Sequence, residues 1–228
     1  MELPSIRGEY KNNYDLSRLT WFKVGGLADV LFKPADSNDL ADFLKQNKGK
    51  LPVMVLGAGS NVIVRDRGIE GVVVKLGRNF TEIESLANGD IAVHAGCLNF
   101  NLAKFAAASS IKGFEFLIGI PGTIGGGIAM NAGAYGSEFK DIVRSIIALD
   151  KNGKEHEFSC ADAGFSYRKN NLPDGLIFTK IIFKTETGNI DEINQKMQQI
   201  MRSRSDTQPI TEKTGGSTFA NPEGARAW

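Results

Sequence analysis

The sequence predicts an α+β protein of two lobes, each carrying strands, a helix and a glycine-rich loop. Three observations predict it. Short apolar runs bounded by turn residues recur along the chain, stretches with helical period lie between them, and the 26 glycines gather in clusters.

The first lobe is assigned to residues 1–78. Asp36 is a suitable N-cap for a helix running to Lys45, with Leu40, Phe43 and Leu44 on one face. Pro52–Leu56 is a short apolar run of the kind found in buried strands, and it ends in Gly57-Ala-Gly-Ser-Asn61. Val62–Val64 reads as a second strand, and Gly71–Lys75 as a third after the turn at Asp66–Gly68.

The second lobe is assigned to residues 79–185. Ile91–Ala95 reads as a strand and Asn99–Ser110 as a helix of small residues. Residues 119–136 hold seven glycines and are expected to interrupt regular structure. Strands resume at Val143–Leu149 and Lys154–Phe158, joined by the hairpin turn Asp150-Lys-Asn-Gly153, and again at Leu176–Lys184. In the third region, 186–228, Ile193, Met197, Ile200 and Met201 recur at helical spacing, so residues 189–204 form an amphipathic helix facing a core. Past that helix the region has too few apolar residues for a core of its own.

A net charge of +1 argues against a nucleic-acid or membrane-surface partner. No apolar stretch approaches the roughly 20 residues of a membrane span, and the N-terminus lacks a secretion signal, so the chain is expected in the cytoplasm. Cys97 and Cys160 imply no disulfide framework. His94 and His156 fall on predicted strands and read as structural, so neither a metal site nor a serine-hydrolase triad is supported. No obligate protein partner is inferred.

The glycine clusters carry the functional argument. Gly57–Asn61 lets successive N–H groups point at an anion, with Ser60 and Asn61 adding side-chain donors; alone it reads more readily as a tight strand-to-strand turn. It is not the three-glycine fingerprint that opens a helix, which disfavours an ordinary Rossmann domain. In residues 119–136 the interleaved Ile and Met argue against a solvated linker. So many glycines cost conformational entropy, which backbone laid against a large flat ligand with phosphates would offset. Two such loops from two lobes suit a long ligand such as a dinucleotide. Tyr167 and Arg168 precede the loop Asn170–Gly175; taken alone Arg168 reads as a surface residue, though a guanidinium at a cleft edge would suit a carboxylate by bidentate pairing.

Taken together the motifs resemble UDP-N-acetylmuramate dehydrogenase, also called UDP-N-acetylenolpyruvoylglucosamine reductase, of the second, shorter type. The resemblance runs from Leu19 to Trp228 through Thr20…Lys23-Val-Gly-Gly26, Gly57–Asn61, Gly119–Gly126, Asn131-Ala-Gly-Ala-Tyr-Gly136, Tyr167-Arg168 and Gly216-Ser-Thr-Phe219, in order. It implies the two-lobed FAD-binding fold of the vanillyl-alcohol-oxidase type, a non-covalent FAD, NADPH as hydride source, a UDP-sugar substrate and the beginning of a third, substrate-binding domain.

The resemblance also implies site roles. Arg168 falls on the family's catalytic arginine and Ser217 on its serine proton donor. Tyr167 and Asn221 fall near the substrate. Gly57, Gly59, Ser60, Asn61 and Val62 from the first loop, with Gly119, Pro121, Gly122, Thr123, Gly125, Gly126, Asn131, Gly133 and Tyr135 from the second, are the expected cofactor contacts. Thr207 and Ala220 stand where the family commonly has lysines, and the chain ends before the family's C-terminal catalytic glutamate, as a truncated product would. The competing readings are a same-fold flavin oxidoreductase with another substrate, a non-catalytic FAD-binding remnant, and a flavin-free phosphate-binding module.

Overall fold

The computed structural model describes residues 2–209, 212–213 and 222. Two sheets organise them. The first combines β1 (Glu9–Asp15), β2 (Leu27–Lys33), β3 (Val53–Val55) and β4 (Ile69–Val74) in the order β1-β2-β4-β3. β1 runs antiparallel to β2, while β2 and β3 both run parallel to β4. Helix α1 (Ser37–Asn47) connects β2 to β3, as a parallel pairing requires.

Asp36 caps α1 by accepting the Asp39 N–H at 2.9 Å, and Lys48 ends it in the left-handed conformation. Its buried face, Leu40, Phe43 and Leu44, packs on Val30, Phe32, Val72 and Val74. Phe32 and Phe43 pack with tilted rings, centroids 4.7 Å apart, and each buried aromatic or leucine of this kind stabilises by about 1.5–3 kcal/mol. Asp39, itself buried, accepts the N–H groups of Arg7, Gly8 and Ala35 at 2.6, 3.0 and 2.8 Å, fastening the N-terminal segment to the helix.

The second sheet is antiparallel throughout, ordered β10-β9-β11-β6-β5, from β5 (Ile83–Ser85), β6 (Ile91–His94), β9 (Val143–Leu149), β10 (Glu155–Ser159) and β11 (Ile177–Phe183). Between β6 and β9 lie helix α2 (Asn99–Ala108), a short helix α3 (Ile124–Ala129) and the small hairpin β7 (Gly133–Ala134) with β8 (Ser137–Glu138). Helix α4 (Ile190–Thr207) sends Ile193, Met197 and Ile200 into the core beneath this sheet. Met201 is 47% exposed and leaves the stripe expected for it.

The two sheets meet edge to core. Leu149 and Ile177 of the second sheet belong to the core around α1. At the tip of the β9–β10 hairpin, Gly153 sits so close that a Cβ would fall 2.2 Å from the Ala41 carbonyl oxygen. That turn, legible from Asp150–Gly153 alone, therefore doubles as a contact between lobes.

Two expectations are corrected. Val62–Val64 is no strand: Gly26 donates to the Arg65 carbonyl at 3.0 Å and Val64 is buried beside Leu16 and Leu56, which pins the segment as a loop. β1 and β2 take its place. β1 is a polar edge strand whose tyrosines alone signal burial, so its pattern is weak. The 119–136 segment also contains regular structure, α3 and the β7–β8 hairpin, because Thr123 caps α3 and Tyr135-Gly136 both take positive φ in a two-residue turn.

Candidate functional site

The first loop leaves β3 at Leu56, whose N–H pairs with Val74 at 2.9 Å. From Gly57 to Asn61, five successive N–H groups find no protein acceptor among the described residues. Gly59 has φ 70° and lies against Leu19, where a Cβ would sit 2.0 Å from the carbonyl oxygen. A row of unclaimed donors held by a left-handed glycine has the geometry to cradle an anion. Beneath it, Lys75 donates from Nζ to the Gly57 carbonyl. Burial, with Lys33 nearby adding repulsion, holds the Lys75 ammonium below the ordinary lysine range.

The second loop follows the 3-10 turn Glu115–Gly119 and touches the first. Ser60 Oγ donates to the Pro121 carbonyl at 3.3 Å, and a Cβ on Gly57 would meet Thr123 Oγ1 at 2.7 Å. Thr123 accepts the Gly126 N–H at 3.3 Å. Gly125 donates to Ala95 at 2.8 Å, where a Cβ would come within 3.0 Å of the Ala95 side chain, and Gly119 faces the Tyr135 ring. Several glycines thus answer to protein neighbours as well as to any ligand. Asn61 and Gly126 are exposed, Val62 and Gly122 half-buried.

At the far end three non-glycine residues take left-handed backbone: Asn131 at φ 36°, Tyr135 at 54° and Arg168 at 56°. Such conformations cost about 1–3 kcal/mol each and collect at functional sites. Arg168 is exposed, donates from Nη2 to the Gly133 carbonyl at 3.0 Å, and lies over the Tyr167 ring at 5.3 Å. Asn131 is fully buried and its side chain is engaged: Nδ2 donates to Glu138 Oε2 at 2.8 Å and to the Ser166 carbonyl at 3.1 Å, while Oδ1 accepts the Lys140 N–H at 3.0 Å. Ser217 and Asn221 lie outside the described residues.

Residues 28–159 match the family model described as FAD binding domain. The reductase named UDP-N-acetylenolpyruvoylglucosamine reductase from Rickettsia rickettsii (strain Sheila Smith) is 60% identical over 226 residues, which are 99% of this chain and 76% of that protein. Its namesake from Rickettsia bellii (strain RML369-C) is 58% identical over 228 residues, again 76% of its length. The chain belongs to the UDP-N-acetylenolpyruvoylglucosamine reductase family. The crystal structure of the reductase from Thermus caldophilus superposes with a TM-score of 0.84 at 31% identity, over 98% of this chain and 78% of that one. 6-Hydroxy-D-nicotine oxidase from Arthrobacter nicotinovorans, at TM-score 0.55 and 16% identity over 80% of this chain and 43% of its own, shares the fold.

Within this reductase family's frame, the cradle at Gly57–Asn61 fits an FAD pyrophosphate, since its donors are backbone and unclaimed. Three residues that matter to the site were missed in the sequence: Lys75, Glu138 and Asn170. Lys75 had a weak signal, a lone cation ending the apolar run Val72–Val74. Asn170 donates to the Ala129 carbonyl at 2.9 Å across 41 residues, which no local pattern announces. Away from the loops, Glu82, Glu84 and His94 bring ligand-type atoms within 4.8 Å of one another, but Lys180 already pairs with Glu84 at 3.8 Å.

Proposed function

We propose that the chain reduces UDP-N-acetylenolpyruvoylglucosamine to UDP-N-acetylmuramate with NADPH, using a non-covalent FAD cradled by the lobes at 1–78 and 79–185. The observation that carries the reading is the tie between Arg168 and Gly133, which sets a guanidinium against the end of the glycine segment. The 60% identity to a reductase of that name supports the substrate. Both NADPH and nucleotide sugars are cytoplasmic metabolites, and the reading places the chain there.

When bound, FAD supplies the hydride relay between NADPH and the enolpyruvyl group. The N–H groups of Gly57–Asn61 would hold its pyrophosphate, and Gly122, Thr123 and Gly126 would lie along the neighbouring part of the cofactor. As hydride reaches the terminal carbon of the enolpyruvyl group, negative charge spreads from the adjacent carbon into the carboxylate. Arg168 stabilises that charge as it develops, and its fixed position means little reorganisation at the moment of reaction. Tyr167 and Asn221 orient the substrate. Ser217 donates the proton that completes the product, provided its neighbours stabilise the alkoxide.

The test separates the half-reactions. Flavin-loaded protein is bleached anaerobically with NADPH, then mixed with UDP-N-acetylenolpyruvoylglucosamine. Reoxidation in step with product supports the reading, and Ser217→Ala should slow that step while sparing bleaching. Bleaching without reoxidation identifies a flavin-binding remnant. Reoxidation by simple alcohol-derived acceptors instead points to another substrate, and a colourless protein indifferent to FAD removes the flavin altogether.

A further inference from the structure

We infer that Asn131 is a positioning residue that sets Arg168, rather than a flavin contact through its side chain. The inference rests on the proposed role of Arg168. Asn131 is 0% exposed, and three of the four hydrogen-bonding positions of its amide are taken, by Glu138, Lys140 and the distant Ser166. One amide proton goes to Glu138 in β8 and the other to the Ser166 carbonyl, 35 residues away. The amide oxygen takes the Lys140 N–H. No lone pair or proton aimed at a cofactor remains beyond the oxygen's second acceptor site.

What hangs on this amide is the turn carrying Arg168. Ser166 and Lys169 exchange backbone hydrogen bonds at 2.9 and 3.2 Å, closing a four-residue turn with Tyr167 and Arg168 at its tip. The Ser166 carbonyl that Asn131 holds is the base of that turn. Asn170 fastens the other side, donating to Ala129 at 2.9 Å and accepting the Leu172 N–H at 3.1 Å. Arg168 then returns to Gly133, two residues beyond Asn131. The loop is closed, and Asn131 is the buried member through which the turn and the β7–β8 hairpin share one register. A left-handed asparagine suits the place, because its short amide reaches both directions from a backbone that most side chains resist.

The test uses the flavin-loaded full chain and compares Asn131→Asp with Asn131→Gly. Aspartate keeps an acceptor for Lys140 but loses both donations and faces the Glu138 carboxylate; glycine loses all three bonds. Hydrogen exchange should show Lys140 protected in N131D and exposed in N131G, while Lys169 loses about tenfold protection in both. Strand amides of β9 and β11 should be unchanged. Flavin reoxidation by substrate should slow by about tenfold or more in both variants while bleaching by NADPH is spared.

Lost protection at Lys169 with wild-type reoxidation overturns the inference. Arg168→Ala, measured alongside, tells which reading has failed. If it reoxidises normally too, Arg168 has no catalytic role and both fall; if it is slow, only the positioning role of Asn131 falls. Flavin loss from N131D and N131G with Lys169 still protected also overturns the inference, since Asn131 would then be a cofactor contact.

Discussion

Arg168 and Gly133 are 35 residues apart in sequence, yet the arginine Nη2 lies 3.0 Å from the glycine carbonyl. Arg168 holds a left-handed backbone at φ 56° in a turn whose other contacts leave it little freedom. The bond ties a cation from the β10–β11 connection to the glycine segment of the FAD binding domain. It gives a definite direction to a side chain that would otherwise sample many rotamers at the surface.

Removing that cation should affect one half-reaction. Arg168→Ala is expected to retain flavin and accept hydride from NADPH normally, yet reoxidise with substrate about 10²-fold more slowly or worse. Stopped-flow absorbance of the flavin separates the two steps. Loss of flavin from the purified variant would instead make Arg168 a structural residue.

Gly59→Ala places a methyl where only 2.0 Å separates the Cβ position from the Leu19 carbonyl oxygen, on a backbone at φ 70°. The first loop must move, so flavin retention and thermal stability should both fall, with a cost of about 1–3 kcal/mol from backbone strain alone. Gly77→Ala is the control, since nothing lies within 4 Å of its Cβ position. Equal melting temperatures for the two variants would refute the role given to Gly59.

Asp39→Ala should be among the more damaging changes remote from the site. It strips an acceptor from three backbone N–H groups, two of them in the N-terminal segment. Bonds to a charged acceptor contribute about 1.5–3 kcal/mol each net of exchange with water, so a loss of several kcal/mol is expected by urea denaturation. Flavin chemistry should survive in whatever fraction remains folded.

Burial pushes the Cys97 thiol up to about 11 from an ordinary 9.0. Its folded form therefore holds a proton that the unfolded chain releases. The resulting stabilisation is complete below pH 9 and is lost as pH rises through about 11. Cys97→Ala should flatten the stability profile in that alkaline window, read from melting temperature against pH. Near neutrality Cys160, half-buried, should react with a thiol reagent well before Cys97 does.

Much of this was legible in local pattern. The α1 cap at Asp36, the strand Val143–Leu149 and the buried stripe of α4 each repeat at a period the backbone imposes, so a short window of sequence suffices. The glycine clusters were visible as clusters, but local pattern did not show that Gly57, Gly119 and Gly125 also sit against Thr123, Tyr135 and Ala95. β1 was hidden by its polarity as an edge strand, and Val62–Val64 looked like a strand because a loop pinned by Gly26 can bury valine just as well.

By itself the sequence determined the kind of protein: two mixed lobes, two glycine loops and, through motifs in register, a flavin-reductase family. Only the tertiary structure decided how the site is assembled. Ser60 reaches Pro121 across 61 residues, Lys75 reaches Gly57 across 18, and Asn131 closes on Ser166 across 35. The reason is physical. Periodicity records what each residue does with its near neighbours, whereas hydrogen bonds between distant segments depend on where the packed cores bring those segments, and no local period encodes that.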